Sequence, residues 1–277
     1  MIAAPGSLAD APIGVFDSGI GGLSVLRALL AELPHERFVY LADNAHAPYG
    51  EKGDAHVLAR SHAVLGDLLA HHAIKALVIA CNTATTATVH ALRAAHPQLP
   101  FVGIEPALKP AAALTRTGHV GVLATRGTLA SDKLRALADS LARAAHFHLR
   151  PCDGLAEAIE SEAASAECLG TAAQIDRHLA AIGPLGHGAG EIDTLVLGCT
   201  HYPLAWPLWQ ARVGERATLL DPAPAVARQA RRVLSERGLL RATSPAQTEA
   251  HVKLIATGHP APLAAAAARW LPEDALI

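Results

Sequence analysis

Short apolar, β-branched runs alternate along the whole chain with longer stretches of helical periodicity. The runs fall at residues 12–16, 38–42, 76–80, 101–104, 119–123, 146–150, 194–198, 218–220 and 251–256. Those at 76–80 and 194–198 are near-continuously apolar, which is how a parallel strand buried on both faces reads. Helical patterns occupy 22–33, 54–72, 84–96, 128–144, 171–181 and 223–237. This βαβα rhythm predicts an α/β fold with mostly parallel sheets covered by helices on both faces.

Two of the runs echo each other. Residues 75–83 read KALVIACNT and residues 193–201 read DTLVLGCTH, so that Cys81 falls on Cys199. A second echo precedes each: Gly14-Val15-Phe16-Asp17-Ser18 resembles Gly121-Val122-Leu123-Ala124-Thr125. Two echoes in the same order point to an internal duplication, that is, two pseudo-symmetric halves. The junction is expected near residues 105–111, where two prolines interrupt the pattern. A helix, a strand and a helix remain after Asp221-Pro222, to extend the second half or to complete the first.

Composition narrows the function classes. The chain has 277 residues, enough for two domains, and 51% are hydrophobic, enough to fill their cores. A net charge of −2 with no basic face or tail argues against a nucleic-acid partner. No run of 18 apolar residues exists, so no membrane span is expected. The first ten residues lack the basic and apolar regions of a signal peptide and read as a disordered lead-in. Four cysteines in a chain without such a signal suit a reducing compartment. No CxxC or paired His/Cys spacing supports a metal site.

Each echoed run places a thiol at the carboxyl end of a strand, where open α/β sheets bind ligands. Cys81-Asn82-Thr83 leads into a helix, whose dipole is expected to lower the pKa of Cys81. Cys199-Thr200-His201 repeats the layout with an imidazole two residues on. Cys152 and Cys168 lack this context and read as structural. Asp17-Ser18-Gly19-Ile20-Gly21-Gly22 follows a strand and opens a helix. Its glycines permit tight turning and its free N–H groups suit an anion, although a simple helix cap by Asp17 or Ser18 fits as well. Ala47-Pro48-Tyr49-Gly50 is a turn in which Tyr49 can line a pocket, and Glu160 reads as a solvated helix face. Four classes stay open on these residues: a two-thiol proton-transfer enzyme, a cysteine-nucleophile hydrolase or transferase using His201 as base, a thiol–disulfide protein, and a two-lobed amino-acid binding protein.

Taken together, FDSGIGGLSVLR, APYG, ACNTAT and GCTHYPL resemble the glutamate racemases of the cofactor-independent aspartate/glutamate racemase family. The likeness runs in order from about residue 12 to residue 237. It implies two three-layer α/β domains with the active site in the cleft between them: residues 1–107 plus 222–277 on the Cys81 side, and 108–221 on the Cys199 side. It implies Cys81 and Cys199 as acid/base thiols, assisted by Asp17 and His201 respectively. Ser18, Tyr49, Gly50, Asn82, Thr83 and Thr200 match substrate-contacting positions, alongside Asp17 and His201. Glu160 aligns with an assisting carboxylate, although PCDGLAEAIE departs from the family pattern around it. Asn44 stands where a small Thr or Ser is more usual. The resemblance implies glutamate as substrate, no cofactor or metal, a cytoplasmic location and a role in supplying D-glutamate for peptidoglycan. Relatives self-associate, so a homodimer is left open, with no interface legible in the sequence.

Overall fold

A computed structural model describes residues 7–242 and 251–276. In chain order the first elements are β1 (Ile13–Asp17), α1 (Leu23–Glu32), β2 (Arg37–Ala42), α2 (Asp54–His72), β3 (Ala76–Ile79), α3 (Asn82–Ala95), β4 (Phe101–Gly103) and α4 (Leu108–Leu114). Then follow β5 (His119–Ala124), α5 (Arg126–Ala130), α6 (Asp132–Ser140), β6 (His146–Pro151), α7 (Leu155–Ser161), α8 (Leu169–Ile182), β7 (Thr194–Leu197) and α9 (Trp206–Val213). The chain finishes with β8 (Thr218–Leu220), α10 (Ala223–Glu236), β9 (His251–Ala256) and α11 (Ala261–Trp270).

All nine expected strands form, and they assemble into two parallel sheets. The first has the order β4-β3-β1-β2-β9 and the second β6-β5-β7-β8. Read from the other edge, the second sheet repeats the first four strands of the first, with β5 in the place of β1 and β7 in the place of β3. The internal echo is therefore a repeat of topology as well as of sequence. Strand β9 has no counterpart in the second sheet: it pairs with β2 in parallel, Phe38 opposite Val252.

The central strands β1, β3, β5 and β7 are buried on both faces, which is why they read as continuous apolar runs, whereas the edge strand β6 is half-exposed and carries His146, His148 and Arg150. Phe16, Leu41, Leu77 and Ile79 pack with Val57, Leu65 and Leu92 of α2 and α3. Val120, Val122 and Val196 pack with Leu108, Leu129 and Leu134. A third cluster begins with Val15, Leu26 and Val78, takes in Ala227 and Leu263 of α10 and α11, and continues through Tyr202 to Leu195, Ile175 and Trp209. The two sheets thus share one apolar core on the side of α1 and α8.

Three expectations are corrected. The 128–144 helix is two helices, because Ser131 adopts an extended backbone and its side chain caps Leu134 N–H at 3.3 Å. The proline-marked junction contains α4, whose Pro110 sits in the first turn, where no intrahelical bond is lost. The lead-in is ordered over residues 7–10: Lys75 Nζ and Arg37 Nη2 donate to the carbonyls of Ala9 and Asp10, both at 2.5 Å. Residues 1–6 of that segment lie outside the described residues. Among the described residues no helix is long and apolar enough to cross a membrane.

Candidate active site

The strand order of the first sheet reverses between β1 and β3, the crevice in which open α/β sheets take ligands. Asp17 ends β1, and Cys81 follows β3 as the N-cap residue of α3. The Cys81 sulfur accepts from Ala84 N–H at 3.4 Å and lies 3.7 Å from Ser18 Oγ. The helix dipole does not prevail here. Burial, then the Asp17 carboxylate, push the Cys81 thiol far up, against the lowering pull of Ala84 N–H and Ser18. The expected lowered pKa is therefore reversed, because removal from water outweighs two weak donors. Asp17 is itself raised by burial, despite the opposing charge of His201 and the Gly22 N–H.

The second thiol has a different setting. Cys199 Sγ lies 3.7 Å from His201 Nδ1, and His201 Nε2 lies 2.8 Å from Glu160 Oε2. Sulfur, imidazole and carboxylate form a continuous chain. Burial favours the neutral imidazole, but the Cys199 sulfur and Glu160 outweigh it and hold His201 well above the usual histidine value. Glu160, which read as a solvated face, is instead turned inward from α7 onto His201. The two thiols share one electrostatic environment, since charge on Cys199 raises Cys81.

The glycine loop serves a different purpose from the expected tight turn. None of its glycines has a positive φ. They are needed for close approach: a Cβ on Gly21 would lie 2.4 Å from His201 Nδ1, and one on Gly19 would lie 2.7 Å from Glu160 Oε2. Gly22 N–H is taken by Asp17 Oδ2 at 2.7 Å, which leaves Asp17 Oδ1 buried with no protein partner. The capping reading of Asp17 is thus partly realised, and the loop lies against the His201–Glu160 pair.

Asn82, Thr83, Thr200 and Ser18 are all buried around the two thiols. Both polar atoms of the Asn82 side chain lack a protein partner. Buried amides left this way are costly unless something else bonds them, so Asn82 is poised for a ligand. Tyr49 is buried with its ring edge-on to Phe16, and its hydroxyl donates to Asp43 Oδ2 at 2.6 Å rather than into the crevice. Gly50 abuts the second sheet: a Cβ there would lie 3.1 Å from Thr125 Cβ.

Several residues escaped the sequence reading. Asp43 accepts from both nitrogens of the Arg60 fork at 2.9 Å and from Thr257 Oγ1 at 2.8 Å, as well as from Tyr49. These donors hold its carboxyl low although burial alone would raise it. Thr125 Oγ1, at the tip of β5, lies 3.2 Å from Thr83 Oγ1. Asn44, the neighbour of Asp43, ties down the loop after β9, accepting from Gly258 N–H at 2.7 Å and donating to His259 O at 2.9 Å. Among the described residues no group of three or more His, Cys, Asp or Glu stands where it would hold a metal ion.

Comparison with known proteins gives the family. The family model described as Asp/Glu/Hydantoin racemase matches residues 13–230. A glutamate racemase of Pseudomonas paraeruginosa is 50% identical over 231 residues, 83% of this chain and 84% of its own. Among solved structures, a glutamate racemase isoform from Bacillus anthracis superposes with a TM-score of 0.81 at 30% identity, covering 96% of both chains. The Escherichia coli glutamate racemase, solved with L-glutamate and the activator UDP-MurNAc-ala, gives 0.80 at 30% identity, covering 95% of this chain and 96% of its own. With two thiols at equivalent strand tips of a repeated sheet, and this likeness along nearly its whole length, the chain belongs to the Asp/Glu racemase family and, within it, groups with the glutamate racemases.

Proposed function

We propose that the protein interconverts L- and D-glutamate by passing the α-proton between Cys81 and Cys199 on opposite faces of the substrate, and that in the bacterial cytoplasm this supplies D-glutamate for peptidoglycan. The observation that carries the reading is the unequal backing of two neighbouring thiols. A protonated His201, 3.7 Å from the Cys199 sulfur and braced by Glu160, is the counter-charge of a thiolate. Cys81, pushed up by burial and by Asp17, keeps its proton. One base and one acid are then in place together, as racemisation requires.

In the forward step the Cys199 thiolate takes the α-proton, and the electron pair left on carbon takes the Cys81 proton on the other face. The enzyme is left as the Cys199 thiol and the Cys81 thiolate, which is the starting state for the reverse reaction. Asp17, raised by burial, is suited to holding a proton on the Cys81 side between turnovers. The α-proton is weakly acidic, so the developing negative charge on the carboxylate needs preorganised donors. Asn82, Thr83 and Thr200 line the site for that role, with Ser18 and the Tyr49-Gly50 turn completing the contacts. The reading uses no cofactor and no metal.

Proton NMR of L-glutamate in deuterated water, with chiral analysis, tests it. The wild type should lose the α-proton signal and form deuterated D-glutamate. Cys81→Ala and Cys199→Ala should each abolish racemisation in both directions. Near-normal racemisation by either variant would refute the two-thiol mechanism.

A further inference from the structure

Ser24 lies in the first turn of α1, 2% exposed, and the mechanism above does not use it. Its hydroxyl oxygen is 2.9 Å from Gly21 O and also 2.9 Å from Thr200 O. The first contact is the ordinary back-bond of a serine to the preceding turn. The second crosses from the first sheet's helix to the turn that carries Cys199 and His201. Gly21 O already accepts the Ser24 backbone N–H at 3.1 Å, so the single hydroxyl proton is free to serve the Thr200 carbonyl. Around it the two segments interlock: the would-be Cβ of Gly21 falls 2.7 Å from Thr200 Oγ1 as well as against His201. On the Cys81 side the sheets meet through a different hydroxyl pair, Thr83 and Thr125.

We infer that Ser24 is a positioning residue for the Cys199 half of the reaction, fixing the Cys199-Thr200-His201 turn against the glycine loop by its bond to the Thr200 carbonyl. This rests on the two-thiol reading for its kinetic consequence, but not for its geometry. Loss of the hydroxyl lets the turn shift relative to Asp17 and Cys81. Displacements of the order of an ångström at reacting groups cost up to about a hundredfold, and loss of one buried hydrogen bond alone corresponds to roughly fivefold.

The test compares Ser24→Thr with Ser24→Val, two side chains of the same shape that differ in the hydroxyl. Ser24→Val should lower kcat/KM roughly tenfold, while Ser24→Thr, which keeps the hydroxyl, stays within about twofold of the wild type. A racemase has an equilibrium constant of one, so kcat/KM must fall equally in both directions. The asymmetry appears instead in substrate deuterium isotope effects. In Ser24→Val the effect should rise in the direction in which Cys199 abstracts the proton and fall in the other.

A second readout does not depend on which residue moves the proton. The His201 imidazole, assigned by difference from His201→Asn, should titrate lower in Ser24→Val than in Ser24→Thr, because its contacts to Cys199 and Glu160 loosen. Equal losses in the two variants, or symmetric isotope effects with an unmoved His201 titration, would overturn the assignment. If Cys199→Ala racemises, the two-thiol mechanism falls. The titration then decides on Ser24 alone: a difference between Thr and Val upholds its placement of the turn, and no difference overturns it.

Discussion

Replacement of Gly21 by alanine adds one methyl group at the closest approach between the glycine loop and the second sheet. The Cβ would lie 2.4 Å from His201 Nδ1, 2.7 Å from His201 Cε1 and 2.7 Å from Thr200 Oγ1. Comfortable contact between such atoms is about 3.5 Å, so the overlap is of the order of 1 Å. His201 has little room to retreat, since its Nε2 is held by Glu160 Oε2 at 2.8 Å. Either the imidazole or the loop carrying Asp17 must move by about the overlap. A misplacement of that size costs roughly a hundredfold in rate. The steric conflict also costs about 1–3 kcal/mol of stability. Gly66 provides the control: it lies in α2, where a Cβ would meet nothing within 4 Å. Gly66→Ala should leave activity unchanged and stabilise by about 1 kcal/mol through helix propensity. Racemisation followed by polarimetry and melting followed by circular dichroism would measure both. If Gly21→Ala kept wild-type activity, the interlocked contact between loop and turn would have no bearing on catalysis.

Glu160→Gln removes the carboxylate that helps hold His201 protonated. Its kcat should fall about tenfold, as for loss of an orienting partner, and the His201 titration should move down. A raised folded-state pKa contributes stability below the unfolded value of about 6.5 that is lost as pH rises through the folded value. The wild type should therefore lose stability above that pH more steeply than Glu160→Gln, and parallel pH–stability curves would exclude the assignment. Asp193, next to β7, accepts from Thr115 Oγ1 at 2.6 Å and from Arg116 and Thr117 N–H at 2.7 and 2.9 Å. Although burial opposes it, these bonds lower its carboxyl to about 2. A depressed pKa contributes stability above the unfolded value of about 3.9, lost as pH falls toward 2. Asp193→Asn should cost about 2 kcal/mol at neutral pH and flatten the acid limb of a denaturation profile. An unchanged acid limb would show that this carboxyl is not a source of acid lability.

The strands and the two cysteine tips were legible because they depend on local pattern: a strand covered on both faces has nowhere to place a polar residue, so it announces itself. Residues whose meaning lies in a distant partner were not. Ser24 looks like any serine in a helix's first turn until Thr200 arrives from 176 positions away. Glu160 has the solvated look of an acidic helix residue; only the family resemblance hints at an assisting carboxylate, and the fold turns it onto His201. Asp43 gains Thr257 from the turn after β9, 214 residues on. The direction of the Cys81 shift failed for a related reason. The helix dipole can be read from the order of elements, but burial and the proximity of Asp17 exist only in three dimensions. The glycines stand out in the sequence, yet their reason, room for His201 and Glu160, belongs to another part of the chain.

The pairing of β9 with β2 bears on how the molecule comes to be made. Every strand of the second sheet lies between residues 119 and 220, so that sheet can close while synthesis is still under way. The first sheet waits for residues 251–256, and until they emerge β2 presents a bare edge able to recruit another chain. The late segment also delivers Thr257 to Asp43, and through Asp43 to the hydroxyl of Tyr49. Emergence of this one segment thus closes the first sheet and anchors Tyr49 together, and a chain that stops short of it is left with a sticky edge and without that anchor.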